Sequence, residues 1–198
     1  MEKLISRMCD NLIAKQVISS EDKEIYEYCF CTLFMWLCYF AICFVVMLHF
    51  DCFIAPLIFF TSFLALRSLM GGWHAPGMVS CLISGLLLFT LAVSLIIYPD
   101  ITLQEQLHFS CFSVLFTGGI LSIFNVQDHP NHELSVTEKQ NAKKKSFYLL
   151  FVLTLCMVLF ALVKRFDITF SIALACFATT ALLLLAKFQM KGWKQHET

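Results

Sequence analysis

Charge is scarce in this chain. Only 14% of its 198 residues are Asp, Glu, Lys or Arg, where a soluble domain carries about 25%. Neither sign prevails, with 14 basic against 14 acidic residues. Without a basic surplus the chain is not a nucleic-acid binder. The N-terminus mixes acids with bases and lacks an early apolar core, so no cleavable signal peptide is expected there. A disulfide framework is lacking too. Most of the 10 cysteines, such as Cys38, Cys43, Cys111, Cys156 and Cys176, sit inside apolar runs, where a thiol behaves as a small hydrophobe.

What the chain has is apolar surface. Hydrophobic residues make up 59% of it, and Phe alone contributes 21. A globule of this size cannot bury so much, because its surface-to-volume ratio is too high. An ordinary cytoplasmic enzyme, a disordered chain and a disulfide-stapled secreted domain are thereby excluded. The expected fold is an all-α integral membrane protein of about six transmembrane helices plus an N-terminal amphipathic helix, forming one unit over residues 1–198.

The spans are expected near 28–50, 52–66, 78–98, 107–127, 146–163 and 168–186. The first has 23 residues free of Asp, Glu, Lys and Arg, enough for a bilayer core of about 30 Å. The second is short and carries Pro56. In the fourth, Gly118-Gly119 offers close helix approach. Residues 128–145 form a polar loop. Within residues 1–20, Leu4, Ile5, Met8, Leu12 and Ile13 recur at helical spacing, with Lys3, Arg7, Asp10 and Lys15 mostly opposite. Such a helix lies on the inner membrane surface or packs on the bundle. Ser19-Ser20-Glu21-Asp22 reads as the start of the next helix. Placing both termini in the cytoplasm puts 12 basic residues inside and only Lys164 and Arg165 outside, in keeping with positive-inside bias.

Chemistry concentrates between spans two and three, on the expected cytoplasmic side: Arg67, Gly71-Gly72-Trp73-His74-Ala75-Pro76-Gly77, then Cys81. Thiol catalysis needs a thiolate and a base within hydrogen-bond reach. On one straight helix His74 and Cys81 would share a face yet stand about 10.5 Å apart. Pro76-Gly77 supplies the bend, Pro suiting the first turn of a helix, so that His74 can fold back over Cys81. Gly71-Gly72 permits a sharp turn or close approach of a peptide. Arg67 at a membrane edge calls for a carboxylate or carbonyl partner. Read from spacing alone, a packing cysteine, an anchoring histidine and a plain loop explain the same residues.

The spacing Arg-x3-Gly-Gly-x-His-Ala-x5-Cys resembles the signature of the accessory gene regulator B (AgrB) family, membrane cysteine endopeptidases of Gram-positive quorum sensing. Asp128-x-Pro130-Asn131-x-x-Leu134, Glu138 and Lys143-Lys144-Lys145 are similar to that family's polar loop. Pro76-Gly77 departs from many relatives. The resemblance implies a Cys81–His74 dyad that cuts a short AgrD-type precursor peptide near its acidic tail. An acyl-enzyme thioester would then be closed by a Cys or Ser of the peptide into a thiolactone or lactone. It further implies site-supporting or substrate-binding roles for Arg67, Gly71, Gly72, Lys143, Lys144 and Lys145, a homodimer in contact with membrane lipids, a place in the cell membrane, and no cofactor or metal.

Other readings were open. Asp128, His129, His132 and Glu133 hold a His-x2-His spacing that could bind a metal. Ser68, Ser80 and Ser84 lie near His74 but lack a serine-protease signature. A peptide exporter or transporter, or a non-catalytic scaffold, would fit the spans, though the spans contain no acidic or basic residue of the kind that marks transport pathways.

Overall fold

The computed structural model describes residues 2–72, 78–97, 101–124, 126 and 135–196. They form seven helices: α1 (Glu2–Ala14), α2 (Lys23–His49), α3 (Ile54–Met70), α4 (Met78–Ile97), α5 (Leu103–Ile123), α6 (Val136–Leu162) and α7 (Phe166–His196). No strand occurs among the described residues. Five helices, α2 and α4–α7, are long and apolar enough to cross a membrane, and α3 is a shorter apolar helix of 17 residues. The protein is a multi-pass membrane protein, and its exposure pattern agrees. Large apolar side chains such as Leu37, Phe44, Leu87, Leu115, Phe151 and Leu155 stand exposed, while Ser113, Thr117, Ser171, Thr179 and Thr180 are fully buried. A lipid-facing surface needs no polar coat, and close helix packing favours small hydroxyl residues.

Helix α7 is the axis of the bundle. Two thirds of its spanning window is buried (67%), against 11–22% for the other spans. It packs on α3, α4, α5 and α6. Two apolar clusters meet on it. One joins Cys43, Phe59, Phe60, Phe63, Phe89 and Val93 to Phe170 and Leu174. The other joins Leu66, Met70, Leu121, Leu150 and Met157 to Ile172, Cys176 and Leu183. Helix α3 contributes to both, one face to each, which explains how a short helix with Pro56 sits inside the bundle.

Between α5 and α7 the contact is partly aromatic, with Phe109, Phe112 and Phe116 packed on Phe177, and partly polar. Thr117 Oγ1 lies 2.9 Å from Thr180 Oγ1 and donates to the Cys176 carbonyl at 3.3 Å. Thr179 and Thr180 each also donate to a carbonyl of α7 itself. The close approach expected at Gly118-Gly119 is not there. A Cβ on Gly118 would meet only Leu150, at 3.8 Å, and one on Gly119 would meet nothing. The tight side of α5 is the turn-spaced set Ser110, Ser113 and Thr117, which faces inward instead.

Helix ends follow local chemistry. Thr102 and Ser135 each form a reciprocal capping box with Glu105 and Glu138. Each box satisfies two amide donors that a helix start leaves open. The Ser135 box starts α6 ten residues before the expected span at 146, so the second half of the polar stretch 128–145 is helix rather than loop. Helix α1 buries Ile5 and Cys9 and packs on α2, where Lys23 Nζ meets Asp10 at 2.6 Å. Its amphipathic face therefore docks on the bundle. Burial, with Glu27 adding to it, pushes the Cys9 thiol up.

Interhelical hydroxyl bonds in membranes are worth about 0.6 kcal/mol on average, with a ceiling near 1.7. Thr117→Val should cost an amount in that range in reversible unfolding in detergent. Ser113→Ala should cost less or stabilise, because the buried Ser113 Oγ has no hydrogen-bond partner among the described residues and its loss relieves a desolvated group. Equal losses in the two variants would contradict this account of the seam.

Candidate functional site at the α3–α4 junction

The up-and-down order of the helices brings the end of α3, the start of α4, the end of α5, the start of α6 and the end of α7 to one end of the bundle. Every residue implicated by the sequence, apart from those outside the described set, is at this end. His74, with residues 73–77, lies outside the described residues, as do Asp128, His129, His132 and Glu133. Among the described residues no cluster of three His, Cys, Asp or Glu could hold a metal ion.

Helix α3 stops at a glycine pair. The Gly71 amide donates to the Arg67 carbonyl at 2.9 Å, and Gly71 then takes φ 71°, ψ −156°, a region that L side chains avoid. Gly72 follows at φ 151° and is buried on α7, where a Cβ would stand 3.5 Å from Leu182 Cβ. The two glycines thus turn the chain sharply off α3 and lay it against α7. The expected sharp turn is present and needs both residues.

Cys81 is the fourth residue of α4 and is half-buried. A side chain at this position leans back over the first turn, where the helix carries its partial positive charge. Arg67, half-buried in the last turn of α3, is within electrostatic reach of Cys81 and of Tyr39 on α2. Its guanidinium carbon sits 5.7 Å from the Phe63 ring centre, a cation–π contact that keeps the charge near the bundle. The structure therefore brings Arg67 and Cys81 together. It adds Tyr39, which the sequence did not single out. A tyrosine among apolar residues, some forty positions upstream of the cysteine, gives no local signal.

Of the other thiols, Cys9, Cys43 and Cys176 are buried, whereas Cys31, Cys38, Cys52 and Cys156 are half-buried like Cys81. Cys52 stands at the opposite end of the bundle, where burial pushes its thiol up, with Asp167 adding to the effect. The neighbouring serines are occupied by their own helices, Ser68 donating to the Ala65 carbonyl and Ser84 to the Cys81 carbonyl at 3.0 Å.

The lysine run divides. Lys143 Nζ donates to the Ser122 carbonyl at 3.0 Å, capping the C-terminal end of α5, where cations are favoured. Lys144 and Lys145 are exposed on α6. Helix α4 packs on α2, α3 and α7, and α6 on α3, α5 and α7. The lysines and Cys81 therefore stand on helices that share neighbours at one end of the bundle.

Gly71→Ala should destabilise the protein by about 1–3 kcal/mol, the cost of a side chain in this backbone region, read by thermal unfolding in detergent. Unchanged stability would mean that the turn does not require glycine.

Comparisons with known proteins bear on this arrangement. No curated protein and no solved structure matches the chain. The sequence profile of one family, accessory gene regulator B, matches residues 2–186. That range includes α1, all the spans, the glycine turn, Cys81 and the lysine run, and so by its sequence the chain belongs to the accessory gene regulator B family.

Proposed function

We propose that this protein is a membrane-embedded cysteine endopeptidase, acting within the processing of a quorum-sensing peptide to which its family membership assigns it. The observation that carries the reading is the place of a half-buried Cys81 near the start of α4, with Arg67 at the end of α3 within electrostatic reach across the α3–α4 junction. Thiol catalysis needs a nucleophile that a substrate can reach, and Cys81 is half-buried rather than sealed in the core.

In this mechanism His74 removes the Cys81 proton and the thiolate attacks the scissile carbonyl of an AgrD-type precursor. A carbon–sulfur bond forms as the carbon–nitrogen bond breaks, and the departing amine takes the proton from the His74 imidazolium. The tail leaves, and the remaining peptide is held as a thioester. A Cys or Ser within the peptide then attacks that thioester, closing a thiolactone or lactone ring and freeing Cys81. A thioester keeps enough acyl-transfer potential for closure without ATP. A membrane-edge site that limits water favours cyclisation over hydrolysis.

The same reading places the active end of the bundle and both termini at the cytoplasmic face of the cell membrane. That end carries 12 of the 14 basic residues, which matches positive-inside bias. Lys144 and Lys145 are the free-standing partners for an acidic peptide tail, whereas Lys143 has a structural duty at α5. A homodimer in the lipid remains part of the proposal through the family resemblance.

Co-expression with the precursor tests the assignment. Cys81→Ala and His74→Ala should each leave the precursor at full length, with protein levels in the membrane unchanged. Normal processing by Cys81→Ala would reject the protease and favour an exporter or a scaffold.

A further inference from the structure

Tyr39 is the one polar side chain on α2 that enters the α3–α4 junction from the side. Its hydroxyl donates to the Gly85 carbonyl at 3.3 Å. Gly85 lies one turn beyond Cys81 on α4, about 6 Å along the axis. A Cβ at Gly85 would come within 3.2 Å of Tyr39 Cε2, closer than such contacts normally allow, so the missing side chain makes the seat for the ring. The opposite side of the ring region meets α3, with Phe60 at 5.5 Å between centroids. Phe60 and Phe63 belong to one buried cluster, and Phe63 carries the Arg67 contact. Tyr39 therefore ties three helices at the level just beneath the thiol. Cys43, one turn further along α2, is buried in the same cluster as Phe60 and Phe63, and Tyr39 packs against that cluster. Helix α2 is the least buried of the spans (11% of its window); beside Tyr39 it is held by Phe40 against Phe60 and by Cys43 in the core cluster.

We propose that Tyr39 is a positioning residue for the Cys81 reaction: seated on Gly85 and against Phe60, it sets the spacing of α4 against α3 and so the place of the thiol one turn above Gly85. This rests on the thiol-protease reading above. A glycine in mid-helix costs stability relative to alanine. Gly85 is explained by the ring it admits. The tyrosine hydroxyl is explained by the carbonyl it holds, because a buried hydroxyl needs a partner. A change of spacing of the order of 1 Å at reacting groups can cost about 100-fold in rate, so a modest shift of α4 against α3 would be felt in turnover.

The test is steady-state cleavage of the precursor by purified protein in lipid nanodiscs, with Tyr39→Phe, Gly85→Ala and the double variant. Tyr39→Phe keeps the ring and removes the bond to Gly85. Gly85→Ala keeps the hydroxyl and crowds the ring, while its higher helix propensity supports the fold. Each single variant should lower kcat by about tenfold or more with KM within about twofold, the signature of a lost transition-state arrangement rather than lost binding. Both act through one contact, so the double variant should be no worse than the poorer single one. Thermal unfolding of Gly85→Ala at or above the wild-type temperature separates the effect from misfolding. Wild-type kcat in Tyr39→Phe, a loss confined to KM, or losses that multiply in the double variant would overturn the role. Cleavage by Cys81→Ala would overturn it together with the protease reading. Cleavage lost in Cys81→Ala but untouched in Tyr39→Phe would overturn the Tyr39 role alone.

Discussion

The packing of α7 against α3 and α5 is the contact on which the rest of the bundle depends. In a bilayer, apolar side chains gain nothing by leaving lipid for one another, so helices associate through close fit and interhelical hydrogen bonds. The buried face of α7 is made for that, with Ser171, Ala173, Ala175, Cys176, Thr179 and Thr180 all at or near zero exposure. Small side chains let α3 and α5 come close, and the Thr117–Thr180 pair satisfies hydroxyls that lipid would leave stranded. Many of the remaining large apolar residues, such as Leu37, Phe44, Leu87, Leu115 and Phe151, face outward, as a lipid-facing surface allows.

The site inherits its position from that packing. Gly72 lies on α7 beside Leu182 at φ 151°, a backbone conformation that L side chains rarely adopt, and that contact fixes where the chain leaves α3. Met70 and Leu66, fully buried, hold the last turn of α3 in the second cluster, while Phe63 and Phe60 hold the preceding face in the first. Arg67 emerges between them toward α4. Its charge is tolerated through the Phe63 ring and the neighbours across the junction, as a cation at a membrane edge requires. The Cys81 thiol stands near the start of α4, half-buried at the same junction.

Much of this was legible in the sequence. Long charge-free runs marked the helices α2–α7, because a bilayer imposes length and apolarity directly, although α6 begins ten residues before its charge-free run and α7 continues ten residues beyond its own. The Arg67 to Cys81 spacing marked the site, since glycine pairs, a histidine and a cysteine at a span edge carry chemistry that a plain lipid-facing helix does not need. The start of α6 was written as Ser135-x-x-Glu138, a helix-start pattern obscured by the lysines after it, which read as loop. Gly118-Gly119 misled because a glycine pair announces the possibility of contact without saying which face meets the neighbour. The contact of α5 with α7 is instead carried by Thr117 and by Phe109, Phe112 and Phe116 against Phe177. Tyr39 was invisible for a different reason. Its meaning comes from a glycine 46 residues away, and only the fold brings the two together.

The central claim is that Cys81 carries the peptide as an acyl group. It is tested most directly by incubating the protein in nanodiscs with a precursor whose internal Cys or Ser is replaced by Ala, and then measuring the intact mass. Ring closure is blocked in that substrate, so the thioester should accumulate. The account predicts an added mass equal to the precursor without its C-terminal tail, mapped to Cys81, removed by hydroxylamine and absent from Cys81→Ala. Release of the tail with no adduct on Cys81, or with the same adduct in Cys81→Ala, would contradict it.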